Sequence, residues 1–165
     1  MKFNSVKEYF YKLNNTGYQL MMMPLIIFIF FYSQSIVTLP GLILLDPENS
    51  KILFFVLCGF SVVFLTFVQV YTNKIANKIS KEVGLGIKLE KLGTLLTRKM
   101  VAISLLVLLI PLALLFSGNN YFSLFFGVLV LWYFLQWPTP GRVSRLLQLR
   151  GDEKEMVITR GEAFK

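Results

Sequence analysis

Three long windows of this chain contain no charged residue: residues 13–45, 52–73 and 100–141. A helix needs about 20 predominantly apolar residues to cross roughly 30 Å of hydrocarbon at 1.5 Å per residue. The first window holds one such stretch, Tyr18–Leu39, and the second holds another, Ile52–Tyr71. The third is interrupted by Ser117-Gly118-Asn119-Asn120, a turn signal. It therefore reads as two spans, Met100–Phe116 and Tyr121–Trp137. The expected fold is an all-α integral membrane protein. Its four transmembrane helices form two in–out–in hairpins, flanked by short amphipathic cytoplasmic segments.

Composition points the same way. Charged residues are 16% of the chain and hydrophobic ones 55%, where a soluble domain typically carries about 25% charged residues. Such a chain folded in water would leave much apolar surface exposed. The first stretch follows Lys2, Lys7 and Lys12, as a signal peptide would. Its apolar run is too long for one, and no Ala-x-Ala-like site follows, so it reads as a retained helix.

The basic residues set the expected orientation. The N-terminal tail carries Lys2, Lys7 and Lys12. The middle segment carries Lys74, Lys78, Lys81, Lys88, Lys91, Arg98 and Lys99, and the C-terminal tail Arg142, Arg145, Arg150, Lys154, Arg160 and Lys165. Of 17 basic residues only Lys51 falls elsewhere. By the positive-inside rule both termini are cytoplasmic, in a plasma or bacterial inner membrane. The segments are then 1–17 (amphipathic, cytoplasmic), 18–71 (first hairpin), 72–99 (basic loop), 100–137 (second hairpin) and 138–165 (cytoplasmic tail). The net charge of +8 follows from this pattern, so no nucleic-acid partner is expected.

In the first segment Phe3, Val6, Phe10 and Leu13 recur at helical spacing, and Ser5-Val6-Lys7-Glu8 fits a capping box. Its apolar face and lysines suit the headgroup boundary. The middle segment places Ile75, Ile79 and Val83 four apart, with Lys74, Lys78 and Lys81 between them. Gly84 and Gly86 break that pattern before Leu89 and Leu92 resume it. Lys74, Lys78, Lys81, Arg142, Arg145 and Arg150 are the candidate contacts with a partner or with lipid headgroups. Asp46-Pro47-Glu48-Asn49 reads as a turn. Glu155-Met156-Val157-Ile158-Thr159, apolar and β-branched, reads as a small strand or docking peptide. A weak repeat relates Gln69-Val70-Tyr71-Thr72 to Gln136-Trp137-Pro138-Thr139.

There is no histidine, and Cys58 is the only cysteine. Histidine-ligated metals, Ser–His or Cys–His catalysis and cysteine pairs are therefore excluded within one chain. No span carries an ionisable residue near its middle, where one would mark an ion or proton pathway. No catalytic, cofactor-binding or metal-binding residue is assigned, and no cofactor is expected. Gln34, Ser61, Thr66 and Gln69 are the candidate interhelical polar contacts. Pro24 and Pro111 interrupt the first and third spans, each freeing a backbone carbonyl. Asn14-Asn15-Thr16 matches a glycosylation sequon but lies on the cytoplasmic side.

The expectation is a protein that is not an enzyme and works by contact, as an accessory, assembly or anchoring subunit of a larger membrane complex. Its partners are membrane lipids and other membrane-protein subunits or itself. The alternative is a small channel or transporter formed by a homo-oligomer, with Gln34, Ser61, Thr66 and Gln69 at the interface.

Overall fold

The computed structural model describes Phe3, residues 5–36 and residues 45–159, with no side chain described for residues 34–36. The described residues form six helices: α1 (Val6–Ile36), α2 (Pro47–Ile79), α3 (Leu85–Ser117), α4 (Tyr121–Leu135), α5 (Pro140–Leu146) and α6 (Gly151–Thr159). Among them there is no strand. α1, α2 and α3 are long and apolar enough to cross a membrane, and α4 makes a fourth when taken with α5.

The helices outrun the charge-free windows. α1 begins at Val6, so the amphipathic segment and the first span are one helix. Its start is fixed by Ser5, whose Oγ accepts from the Glu8 backbone N–H at 3.1 Å, as the capping box requires. Asp46-Pro47-Glu48-Asn49, expected as a turn, instead opens α2: Pro47 is its first residue, and Ser50 N–H donates to the Asp46 carbonyl. Proline suits that position because its φ is preset and its missing N–H would have no helical partner there. Glu48 adds a favourable charge at the positive end of the helix.

The expected loop 72–99 is likewise mostly helix. α2 runs on for eight residues past Tyr71, about 12 Å, and α3 starts fifteen residues before Met100, about 22 Å. Lysine, glutamate and leucine are good helix formers, so the charges that end an apolar window do not end its helix. Only residues 80–84 join the two. Gly84, at φ +93°, makes the turn there, and Glu82 bridges it to Lys91 at 2.6 Å.

The Ser117–Asn120 turn behaves as expected: α3 ends at Ser117 and α4 starts at Tyr121, with Asn119 Oδ1 accepting from Tyr121 N–H at 3.0 Å. α4 is only 15 residues, about 22 Å. It stops ahead of Pro138, which has no N–H to continue it. The two halves of the sequence repeat consequently differ. Gln69–Thr72 is helical, whereas Gln136–Thr139 is not. Glu155–Thr159, expected as a strand or docking peptide, belongs to α6. Asp152 and Glu153 in the first turn of that helix suit its positive end, and Val157 is fully buried.

The chain divides into two compact units. The basic unit comprises Met1–Tyr18, Val68–Met100 and Trp137–Lys165. Its core is built from Val6, Tyr9, Phe10 and Leu13 of α1, Ala76 of α2, Leu89 and Leu92 of α3, and Val143, Leu147 and Val157 of the tail, all at most 1% exposed. Val6, Phe10 and Leu13, whose face was expected at the headgroups, therefore lie inside protein. Tyr9 and Gly93 meet closely: a Cβ at residue 93 would lie 2.8 Å from Tyr9 Cε2. The tail is tied down by Lys88 Nζ to Glu153 at 2.9 Å and by Gln148 Nε2 to Asn77 Oδ1 at 3.3 Å.

The apolar unit comprises Gln19–Phe67 and Val101–Gln136. Its core takes Met21 from α1, Ile103, Val107, Ile110 and Leu114 from α3, and Phe122, Phe126 and Leu129 from α4. The Phe28 and Phe126 rings stack at 4.0 Å, and Phe54 meets Phe122 edge-on at 5.4 Å. Within this unit the buried α3 positions 103, 106, 107, 110, 113 and 114 recur at three and four residues, a broad apolar face.

Candidate functional site

A polar cluster of the basic unit forms around Asn14, Trp137 and Lys99. Trp137 donates its indole N–H to Asn14 Oδ1 at 3.0 Å, and its ring lies 4.6 Å from that of Tyr18. Gly17 makes room for it: a Cβ there would sit 2.9 Å from Trp137 Cη2 and 3.3 Å from Met100 Cε. α1, Met100 of α3 and Trp137 thus converge on one small residue. Asn14, the discounted sequon residue, has a structural partner.

Next to Met100, Lys99 donates to Gln69 Oε1 at 2.7 Å, and Gln69 Nε2 reaches Asn73 Oδ1 at 3.3 Å. Burial, and after it the neighbouring Arg142, push the Lys99 ammonium from its ordinary 10.5 down to about 8. Both effects oppose the charged form: one by removing water, the other by like charge. Arg142 itself is exposed, its backbone N–H capped by Thr139 Oγ1 at 3.4 Å. Lys99 directly precedes the charge-free window 100–141, and nothing local in the sequence distinguishes it from the other basic residues of that segment.

Of the three candidate interhelical groups whose side chains are described, Gln69 bonds across helices, accepting from Lys99 of α3. Ser61 donates to Leu57 O at 2.7 Å and Thr66 to Val62 O at 2.8 Å, both within α2. Ser61 is buried and Thr66 exposed, so their hydroxyls do not share a face. The Gln34 side chain lies outside the described residues.

An interhelical bond in the apolar unit comes instead from Ser104, which donates to the Leu20 carbonyl. The signal was present in the sequence. Pro24 lacks the N–H that would reach residue 20, four positions back, so that carbonyl needs another donor. The carbonyl freed by Pro24 is thus used in holding α1 to α3. Gly59 and Gly127, by contrast, have nothing of this chain within 4 Å of an added Cβ.

The candidate partner or headgroup contacts Lys74, Lys78, Lys81, Arg142, Arg145 and Arg150 are all exposed. Lys74 and Lys78 are four apart on α2, and Arg142 and Arg145 three apart on α5, so each pair shares a helix face. In the apolar unit a cleft of about 760 Å³ opens among Phe28, Tyr32, Asn119, Asn120, Tyr121, Ser123 and Leu124, none of them charged. Its chemistry is that of an uncharged amphiphilic surface.

No protein-family model matches this chain, and neither a curated protein nor a solved structure is detectably similar to it. The fold alone defines the class: a helical protein with several helices apolar enough to cross a membrane.

Proposed function

We propose that the chain is a four-span membrane protein with both termini cytoplasmic, working by contact rather than by catalysis, as an accessory, assembly or anchoring subunit. The observation that carries this reading is the way the basic unit disposes of its residues. Val6, Tyr9, Phe10, Leu13, Leu89, Leu92, Val143, Leu147 and Val157 are turned inward. Lys74, Lys78, Lys81, Arg142, Arg145 and Arg150 are turned outward. A folded lobe with fixed cations on its exterior offers a preorganised surface to an acidic protein face or to anionic headgroups, whereas loose basic tails would have to be ordered on binding. α4 serves as the fourth span in this reading, its 15 residues matched by local bilayer thinning.

Truncating the tail is a poor test, because Val143, Leu147 and Val157 complete the core. Charge reversal is better: Lys74→Glu, Lys78→Glu and Lys81→Glu together, with Arg145→Glu and Arg150→Glu as a second set. Tagged wild-type protein taken from its native membrane in mild detergent should bring a stoichiometric partner that one of the two sets releases. Resistance to alkaline extraction should be unchanged in both. A wild-type preparation containing only copies of this chain would count against the subunit reading and favour the homo-oligomeric channel.

A further inference from the structure

The cleft of the apolar unit runs on into a second feature of α4. Its walls carry the rings of Phe28, Tyr32 and Tyr121 and the amides of Asn119 and Asn120, around an opening of about 760 Å³. The Phe28 ring stacks on Phe126 at 4.0 Å and lies 5.5 Å from Tyr32, so the aromatic wall is held in place. Asn119 Oδ1 is fixed by the Tyr121 N–H at 3.0 Å, whereas the Asn120 side chain makes no cap bond to α4. Ser123 adds a hydroxyl whose Oγ has no partner among the described residues. From Leu124 of the cleft, exposed Val128, Leu131 and Leu135 follow at four, three and four positions. They form one apolar stripe along α4. Gly127 lies on the same face, and an added Cβ there would meet nothing within 4 Å. The stripe therefore has a notch beside the cleft. We propose that cleft and notch together seat a neutral glycolipid, its sugar headgroup in the cleft and an acyl chain along the notch.

The lining selects the headgroup. None of its residues is charged, so a phosphate entering the cleft would lose water without meeting a cation. A sugar ring has an apolar C–H face and a rim of hydroxyls. The exposed rings of Tyr32 and Tyr121 suit the face, and amides, which both donate and accept, suit the rim. The volume lies in the range of small-molecule pockets. The stripe selects a lipid over a free sugar, because only an amphiphile uses both parts. It also accounts for Gly127: glycine weakens a helix interior relative to alanine, and no described neighbour requires its small size. The seat rests on the membrane reading above, in the leaflet at the Ser117–Asn120 turn, and not on any protein partner.

The test uses the full chain in nanodiscs of phosphatidylcholine with equal minor fractions of monogalactosyl diacylglycerol and phosphatidylglycerol. Native mass spectrometry counts the lipid that each protein retains. Wild type should retain the galactolipid in preference to both phospholipids. Asn120→Ala removes an exposed amide from the cleft and should weaken that retention about fivefold, the effect of one net hydrogen bond. Gly127→Leu fills the notch and should weaken it at least as much. Gly59→Leu makes the same change on α2, where an added Cβ also meets nothing within 4 Å, and should leave retention at the wild-type level. Equal loss from Gly59→Leu and Gly127→Leu, or equal retention of the three lipids by wild type, overturns the proposal. Displacement of the lipid by millimolar free galactose would reassign the cleft to a soluble sugar and overturn it too. Asn120 is exposed, so its variant carries the test even if Gly127→Leu fails to fold. Wild type released by alkaline extraction would sink the membrane reading itself, whereas wild type that stays inserted without a lipid preference sinks only the seat.

Discussion

The Ser104 hydroxyl donates to the carbonyl of Leu20, the acceptor that Pro24 leaves without its helical donor. Deleting that hydroxyl should leave a buried carbonyl unsatisfied. Ser104→Ala is expected to cost about 0.6–2 kcal/mol, the range for polar contacts between membrane helices. In a Pro24→Ala background the backbone N–H returns and should take over the carbonyl, so the same change should then cost clearly less. Thermal unfolding of the four proteins of this cycle in one detergent reads the coupling. Additive effects would mean that the hydroxyl and the proline are unrelated.

Tyr9 makes a different kind of prediction. Its ring is fully buried against Gly93, but its hydroxyl has no hydrogen-bond partner among the described residues. Burial also holds its phenol above the usual range. Tyr9→Phe should therefore be neutral or stabilise by about 1 kcal/mol, because an unsatisfied polar group leaves the core. Tyr9→Ala should cost about 3–5 kcal/mol, and Gly93→Leu, which drives a side chain into the ring, about 1–3 kcal/mol. Circular dichroism melts rank the three. A Tyr9→Phe variant that melts well below wild type would show that the hydroxyl has a partner after all.

These two sites show how far sequence reading reaches. Apolar windows and the Ser117–Asn120 turn are local signals, and α1 to α4 lie where they point. Helix limits are not local in the same sense: charge ends a span, yet Lys74 and Lys78 continue α2 to Ile79. The periodic face of Val6, Phe10 and Leu13 was legible, but its destination was not, since headgroups and a protein core both accept the same pattern. Ser104 was half-legible, because a proline announces a free carbonyl without naming its donor. The contact between Gly17 and Trp137 was hidden, since nothing local marks a glycine chosen to admit a distant ring.

Lys88 and Glu153 should be exchangeable. Their 2.9 Å bridge joins α3 to α6, with the lysine 13% exposed and the glutamate 37%. Partial exposure keeps the coupling near 1 kcal/mol or below. Lys88→Glu or Glu153→Lys alone should loosen α6 and raise proteolytic cleavage near Gln148–Gly151, and the double reversal should restore resistance. Equal cleavage in all four proteins would show that α6 is held by Val157 alone.

The depressed ammonium of Lys99 gives a pH signature. Below about 8 both the folded and unfolded chains carry the proton, and the cost of holding the charge in the fold is fully present. Between about 8 and the ordinary 10.5 the unfolded chain keeps a proton that the folded one has released, so stability rises with pH. The difference in melting temperature between wild type and Lys99→Gln should therefore shift in favour of wild type across that window. Comparing the two at each pH cancels the other titrating groups, Tyr9 included. A difference that does not change with pH would contradict the shift.

The core of the basic unit also sets a clock on biogenesis. Val6, Tyr9, Phe10 and Leu13 leave the ribosome well before their tail partners: Val143 follows Leu13 by 130 residues, the difference of their positions. At ordinary synthesis rates that interval is on the order of ten seconds, during which an apolar helix face is made but incompletely covered. A chain interrupted before α5 never finishes covering it. The lobe is thus a check on synthesis through α6: only a chain that includes Val143, Leu147 and Val157 hides the surface that chaperones and proteases recognise.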